Sequence, residues 1–444
     1  MGLAIIILLA VLEIGLVVFT CTKQSETVQW MKNRAIVRAI EVALLLGIIL
    51  LPVTHMKWRF TGALITLGIL LLIAAIRWLA RRKKASGIKR KASVVMSAVL
   101  TVLLLVPALV PAFLFTNYNG LETTGAYGVR ECSAILTDSA RTDPFETDGS
   151  AREVPVHFYY PEAEGAFPLV VFSHGAFGYY QSNYSTYAEL TSHGYVVAAL
   201  DHPHHAFFCS DSDGNLITVD RQFLDDAMNL GTKSSEEQYA LFQTWMDLRT
   251  ADMNFVLDTI ETAAHSGALN SAWHTGDTNT ILSVLRMTDV EHIGVMGHSM
   301  GGATAVAMGR TRSDVDAVVV FDGTMLSEIT GLENGKGKYN ETPYPVPVLD
   351  FTKQSDYIDG EKADSETGFA SVNDYEISRA VEGRQMIFDH VGHMDFTDLP
   401  LFSPFLSKLL GSGDADKAEF LTQINGITLN WFDHYLKGKD VPID

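Results

Sequence analysis

The strongest constraint on what this chain can fold into lies in its first 115 residues. Four apolar stretches follow one another there, at about residues 3–20, 35–54, 61–79 and 92–115. Each is close to the roughly 20 apolar residues that a helix needs to cross the hydrocarbon core of a bilayer. In lipid, backbone N–H and C=O groups must be satisfied within the segment itself, so runs of this length impose helices. Residues 1–116 are therefore expected to form a membrane region with four transmembrane helices. The first run has no charged start and no A-x-A-like site, so it is not read as a secretory signal. Phe19-Thr20 before Cys21 is a poor match to a lipoprotein cleavage site.

Charge divides the chain at the same place. Residues 1–115 carry 14 Lys and Arg against 3 Asp and Glu, whereas the rest carries 19 against 49. So acidic a body argues against nucleic-acid binding, which needs clustered Lys and Arg for phosphates. It also argues against docking of that body on anionic headgroups. The most basic stretch, residues 77–91 (RWLARRKKASGIKRK), is expected on the cytoplasmic side. Alternation then places the Lys57/Arg59 loop outside, the loop with Lys23, Lys32, Arg34 and Arg38 inside, and both chain ends outside. The localisation expected is a multi-pass cell-membrane protein with an extracytoplasmic acidic body. Glu13 and Glu41 fall inside apolar runs, where a carboxylate is a functional candidate or else a protonated or helix-paired residue. Nothing else in these runs spells a transport path, so anchoring is the economical role.

Residues 117–150 are polar and turn-rich and read as a linker and lead-in to a domain over 151–444. Within it, residues 153–160 alternate as a half-buried strand does. Residues 168–174 (PLVVFSH), 195–200 (YVVAAL), 290–297 and 315–321 (VDAVVVF) are continuous apolar runs typical of parallel strands covered on both faces. Residues 345–351 and 385–388 complete the series. Strands alternating with helical patterns predict an α/β fold with a mostly parallel sheet and right-handed crossovers. The stretch 203–271 interrupts this order as a lid or an extra helical layer, with apolar residues at helical spacing over 245–264.

Within this body, Gly297-His298-Ser299-Met300-Gly301 sits between an apolar run and a small-residue helical run. That is the context of a nucleophile elbow, a strained strand-turn-helix that lifts a serine hydroxyl above the sheet. Ser299 is the expected nucleophile, against the plain alternative of a glycine-rich turn. It needs a base, an acid to orient the base, and oxyanion donors. His393, on a loop after the last strand, is preferred as base over His390 at the strand end. The acid is Asp322, ending the strand after the elbow helix, or Asp356, one strand later; the residues alone leave both open. Met300 N–H and Ala176 N–H, the latter after Ser173-His174-Gly175, are the expected oxyanion donors.

No cofactor is required by this chemistry, and no metal is expected. His202, His204 and His205 crowd one strand end, but a zinc site needs further ligands of fixed geometry; pocket lining or plain loop is preferred. His298 is read as packing. The three cysteines make no framework, and Cys132 and Cys209 are left either paired or free.

These motifs together resemble the platelet-activating-factor acetylhydrolases of the plasma and intracellular type-II kind. The segments that carry the resemblance are Val170-Val171-Phe172-Ser173-His174-Gly175, Ser192-His193-Gly194-Tyr195-Val196-Val197-Ala198-Ala199, Gly297 to Thr304 around the elbow, and His393-Met394-Asp395-Phe396-Thr397-Asp398. It covers about residue 168 to the C-terminus and leaves the membrane front outside. The resemblance implies an α/β-hydrolase fold, a carboxylic ester hydrolase working through an acyl-enzyme, and Asp322 as the acid. It also implies donors at Ala176 and Met300, and phospholipid or other short-acyl lipid esters as substrates. The loop after His174-Gly175 has no arginine soon after it, and Gly323-Thr324-Met325 replaces an aromatic segment, so parts that shape the acyl and headgroup pockets differ from the family's. An amidase or peptidase, a polyester or dienelactone-type hydrolase, and a non-catalytic membrane sensor are the alternatives. Acyl length, headgroup and oligomeric state are not written in the sequence.

Overall fold

A computed structural model describes residues 2–83, 86–355, 369 and 372–443. The chain forms two compact units, Met1–Gly120 with Leu399–Leu409, and Leu121–Asp398 with Leu410–Asp444.

The first unit holds the four long apolar helices α1 (Gly2–Thr22), α2 (Thr27–Leu50), α3 (Thr61–Arg81) and α4 (Lys91–Leu114). They pack on a small core of Ile5, Leu9, Leu45, Phe60, Leu67, Leu105 and Leu109, while Leu3, Ile14, Ile65, Leu72 and Leu103 point outward. Among the described residues, Leu3–Thr22, Lys57–Arg81 and Lys91–Leu114 are long and apolar enough to cross a membrane by length and composition. Helix α2 is not one of these, because Lys32, Arg34, Arg38 and Glu41 lie within it. Arg38, expected in a loop, is instead buried inside α2. Its guanidinium pairs with both Glu13 on α1 and Glu41 on α2, and donates to Thr101 Oγ1 on α4 at 2.8 Å. The two carboxylates are thus helix-paired. Residues 399–409, counted by sequence with the acidic domain, belong to this unit. Thr116 N–H donates to Phe402 O at 2.7 Å and Ser403 Oγ to Leu114 O at 2.8 Å.

The second unit is built on strands β1 (Val129–Thr142), β2 (Ala151–Pro161), β3 (Phe167–Ser173) and β4 (Val196–Leu200), a hairpin of β5 (Phe208–Ser210) and β6 (Leu216–Thr218), then β7 (Trp273–His274), β8 (Thr288–His298) and β9 (Val315–Phe321). A second hairpin, β10 (Ile329–Glu333) and β11 (Lys336–Tyr339), precedes β12 (Val348–Lys353) and β13 (Gly383–Phe388). Nine of these strands make one sheet in the order β13-β12-β9-β8-β3-β4-β2-β1-β7. The run from β13 to β4 is parallel, and β2 and β1 add antiparallel at the other side. The expected mostly parallel sheet flanked by helices is therefore present. The stretch 117–150, expected as linker and lead-in, carries the 14-residue β1. As an outer strand it buries little beyond Ala134, Leu136 and Asp138, so its apolar alternation is faint.

Alternation along the central strands feeds two helical layers. Leu169 and Val171 face a core with α7 (Ser235–Ser266), α8 (Thr278–Met287) and α9 (Met300–Thr311), the helix α6 (Arg221–Met228) adding Phe223. Phe172 faces the other way, its ring 5.0 Å from that of Tyr187 on α5 (Tyr184–Ser192), where α10 (Lys417–Lys437) closes the second layer. The later half of the 203–271 interruption is thus a structural layer: Trp245, Met246, Met253, Val256, Leu257 and Ile260 of α7 are buried in the main core. All three cysteines are free.

The Arg38 cluster makes the first unit sensitive to single substitutions. Arg38→Leu strands two buried carboxylates and should cost about 3–5 kcal/mol, read as a lowered thermal midpoint in detergent. Replacing Glu13 and Glu41 by glutamine in the same protein should restore most of the loss.

Candidate active site

The elbow forms where β8 ends and α9 begins. Ser299 takes φ 55° and ψ −123°, and its N–H donates to Phe321 O at 2.8 Å, which ties the turn to the end of β9. A serine at positive φ is strained. Close contacts hold it there: a Cβ on Gly301 would lie 1.9 Å from Ser173 O, so only glycine lets α9 pass the end of β3. A Cβ on Gly175 would lie 2.8 Å from His298 Nδ1 and 3.1 Å from Ser299 Cβ, which places the loop after β3 directly beside the serine.

Asp322 follows β9 at φ 49°. Its Oδ2 accepts from His393 Nδ1 at 2.6 Å, and its Oδ1 accepts the Lys353 N–H at 3.0 Å. Lys353 Nζ stands 3.2 Å from the same Oδ2. Burial opposes ionisation of Asp322, but the His393 hydrogen bond and charge, with Lys353, outweigh it and bring the carboxyl down to about 2. The Asp322 side chain is 1% exposed while that of His393 is 33% exposed, so the imidazole bridges a buried anion and an open edge. Asp356 lies outside the described residues.

The structure thus brings together Ser299, Asp322 and His393 with the Ala176 loop. Met300 is the first residue of α9, so its N–H has no partner within the helix. Phe177 and Gly178 N–H donate to His205 O and Gly175 O; among the described residues Ala176 N–H has no such loop acceptor. His390 points elsewhere, exposed and 3.2 Å from Asp414. Of the histidine cluster, His202 is buried against Ser173 and Asp252. His204 stacks on Phe145 at 4.5 Å and His205 on Phe223 at 3.8 Å. Among the described residues no three His, Cys, Asp or Glu are grouped to hold a metal.

Two supports escaped the sequence reading. His298 Nε2 donates to His393 O at 3.1 Å, and burial, then the nearby His393, pulls its pKa down to about 3. It is therefore a neutral brace for the loop. Asp395 fixes the other side of that loop. Its carboxylate accepts from Gly392 N–H at 2.8 Å, Ser412 Oγ at 2.6 Å, Gly413 N–H at 2.8 Å and Lys417 Nζ at 2.9 Å. Local pattern announces neither role in full, since His393 is 95 residues from His298 and Ser412, Gly413 and Lys417 are 17 to 22 residues from Asp395.

A family model described as platelet-activating factor acetylhydrolase, isoform II, matches residues 153–441. The platelet-activating factor acetylhydrolase of Bos taurus is 27% identical over 151 residues, which are 32% of this chain and 31% of that protein. The match thus spans about a third of the length of this curated relative. A solved structure, the ferulic acid esterase from Streptomyces cinnamoneus, aligns with a TM-score of 0.52 at 21% identity, over 72% of this chain and 94% of that one. At this identity the likeness concerns the fold, which is that of the α/β-hydrolases.

The depressed Asp322 carboxyl has a signature in stability. An acid held near 2 instead of the ordinary 3.8 contributes about 2 kcal/mol that is complete above the ordinary value and lost as pH falls through the lower one. Unfolding midpoints followed from about pH 5 to about pH 2 should drop, and the drop should be smaller in Asp322→Asn.

Proposed function

The chain belongs to the family of platelet-activating factor acetylhydrolase, isoform II, and from that premise we propose that it is a membrane-anchored serine hydrolase of carboxylic esters. The observation that carries this reading is the His393 Nδ1–Asp322 Oδ2 hydrogen bond of 2.6 Å beside an elbow serine at φ 55°. Ser299 Oγ attacks the ester carbonyl while His393 Nε2 takes the hydroxyl proton. Asp322 holds the opposite ring nitrogen and stabilises the imidazolium. The Ala176 and Met300 N–H groups receive the developing oxyanion. His393 then returns the proton to the leaving alcohol, and water, activated by the same imidazole, releases the acid from Ser299.

The substrate class that suits this chain is a lipid ester with a short acyl group, with phospholipids of the platelet-activating-factor type as the leading case. Support comes from the family and from the apolar helices of the other unit, which would keep the enzyme beside the bilayer. All four helices are taken to span the membrane, α2 burying its Arg38 against Glu13 and Glu41. The basic 77–91 stretch sits inside, and the hydrolase unit outside.

Purified full-length protein should hydrolyse p-nitrophenyl esters with a preference for short acyl chains, and a fluorophosphonate probe should label Ser299. Ser299→Ala should abolish labelling, and Asp322→Asn should lower kcat by about 10³–10⁴-fold. Preference for aminoacyl anilides over esters would overturn the esterase assignment. Protease added to sealed cells should clip the hydrolase unit, and its protection would reverse the topology.

A further inference from the structure

Behind the oxyanion loop lies a second set of polar residues that the proposed chemistry does not use. Ser173 Oγ stands 2.9 Å from His202 Nε2, and His202 Nδ1 stands 3.0 Å from Asp252 Oδ2. These are the residue types of a hydrolytic triad, yet Ser173, His202 and Asp252 are each 0% exposed, so no ester reaches them. Asp252 is further bound by Arg152 Nη2 at 2.8 Å and Arg141 Nη1 at 2.9 Å. Arg249, one helical turn before Asp252 on α7 and also fully buried, reaches from this cluster to the loop. Its Nη1 donates to His174 O at 2.5 Å and touches Ser173 Oγ at 3.5 Å; its Nη2 reaches Gly175 O at 3.4 Å, and its Nε donates to His205 Nδ1 at 3.2 Å.

The consequence follows from the planarity of the peptide unit. Gly175 C=O and Ala176 N–H belong to the same trans peptide plane and point in opposite directions. Gly175 O is held by three donors: His174 Nδ1 at 2.7 Å, Gly178 N–H at 3.0 Å and Arg249 Nη2. His174 can donate from Nδ1 because its Nε2 accepts the His202 N–H at 3.1 Å. Fixing that oxygen fixes the direction of the Ala176 N–H. A cation at the oxygen also polarises the amide and makes its N–H a stronger donor, as in any hydrogen-bonded chain in a low dielectric.

We propose that Arg249 is a positioning residue of the active site, which orients and polarises the Gly175–Ala176 peptide so that the Ala176 N–H can stabilise an oxyanion. This rests on the reading of Ala176 as an oxyanion donor in an ester hydrolase. It assigns α7, read from sequence as a lid or extra layer, a part in the chemistry through a residue that never touches substrate. Asp252 keeps its bonds to Arg152, Arg141 and His202 when Arg249 is removed, so the cluster retains its own charge balance.

The test uses the full-length protein in detergent with Arg249→Met, and Arg249→Lys as a milder variant that keeps the charge and loses the fork. Two readouts are compared with wild type: turnover of a p-nitrophenyl ester, and hydrogen–deuterium exchange of the peptide covering residues 173–178. Arg249→Met should lower kcat by about 10- to 100-fold, less than the 10²–10³ of deleting an oxyanion donor outright, with KM within about threefold. Fluorophosphonate labelling should slow in the same ratio, exchange in the loop should rise, and Arg249→Lys should recover part of kcat. If wild type neither turns over esters nor takes the probe, the hydrolase reading falls and the oxyanion role of Arg249 falls with it, while faster loop exchange in the variant still shows that Arg249 holds the Gly175–Ala176 peptide. Unchanged kcat and unchanged loop exchange in folded Arg249→Met overturn the proposal. Should that variant not fold, the same two measurements on Arg249→Lys decide it: unchanged values overturn it, and lowered kcat with faster loop exchange supports it.

Discussion

The passage of α9 close against the end of β3 is the constraint on which the site depends. Glycine at 301 lets the helix come down on Ser173 O, and the turn between β8 and α9 must then accept a serine at φ 55°. Strain of this kind persists only where the surroundings over-determine it. Here they do, through the Ser299 N–H bond to Phe321 O and the packing of Gly175 against the serine. The same bond places the end of β9 beside the elbow, and Asp322 follows at that end. One close approach thereby brings Ser299, Asp322 and the Ala176 loop to one edge of the sheet.

Buried charge does the second part of the positioning. Asp322, Asp395 and Asp252 are all nearly inaccessible, and each is surrounded by donors or cations. A carboxylate removed from water without such partners would be protonated or strongly destabilising. Satisfied as they are, the three carboxylates act as fixed points: one for the imidazole, one for the loop that carries it, and one for the frame behind the Ala176 loop. The imidazole of His393 is partly open where these carboxylates are closed.

The helical unit uses the same device. Much of its outward surface is apolar, and Arg38, Glu13 and Glu41 form a buried ionic cluster between three helices. An ionic cluster of that kind ties α1, α2 and α4 together without exposing charge on the apolar surface. It also accounts for two of the charges that set α2 apart from the other long helices, although α2 packs in the same core.

By itself the sequence determined the alternation of strands and helices, the elbow at Ser299, the histidine at 393 and the division of the chain into an apolar basic front and an acidic body. Those features are local: periodicity, composition and short spacings are enough to read them. The pairing of Asp322 with His393 spans 71 residues, so from the residues alone it stood level with Asp356. By its sequence β1 reads as linker, because an outer strand buries too few side chains to show its period. Arg249 and Asp252 did leave a trace, as polar residues on the apolar stripe of α7 between Met246 and Met253, but a stripe does not say what a buried charge faces. Only the tertiary structure decided that, together with the bracing by His298 and Asp395 and the membership of residues 399–409 in the helical unit. Hydrogen bonds between distant segments depend on how the layers stack, and no local pattern encodes which buried donor meets which acceptor.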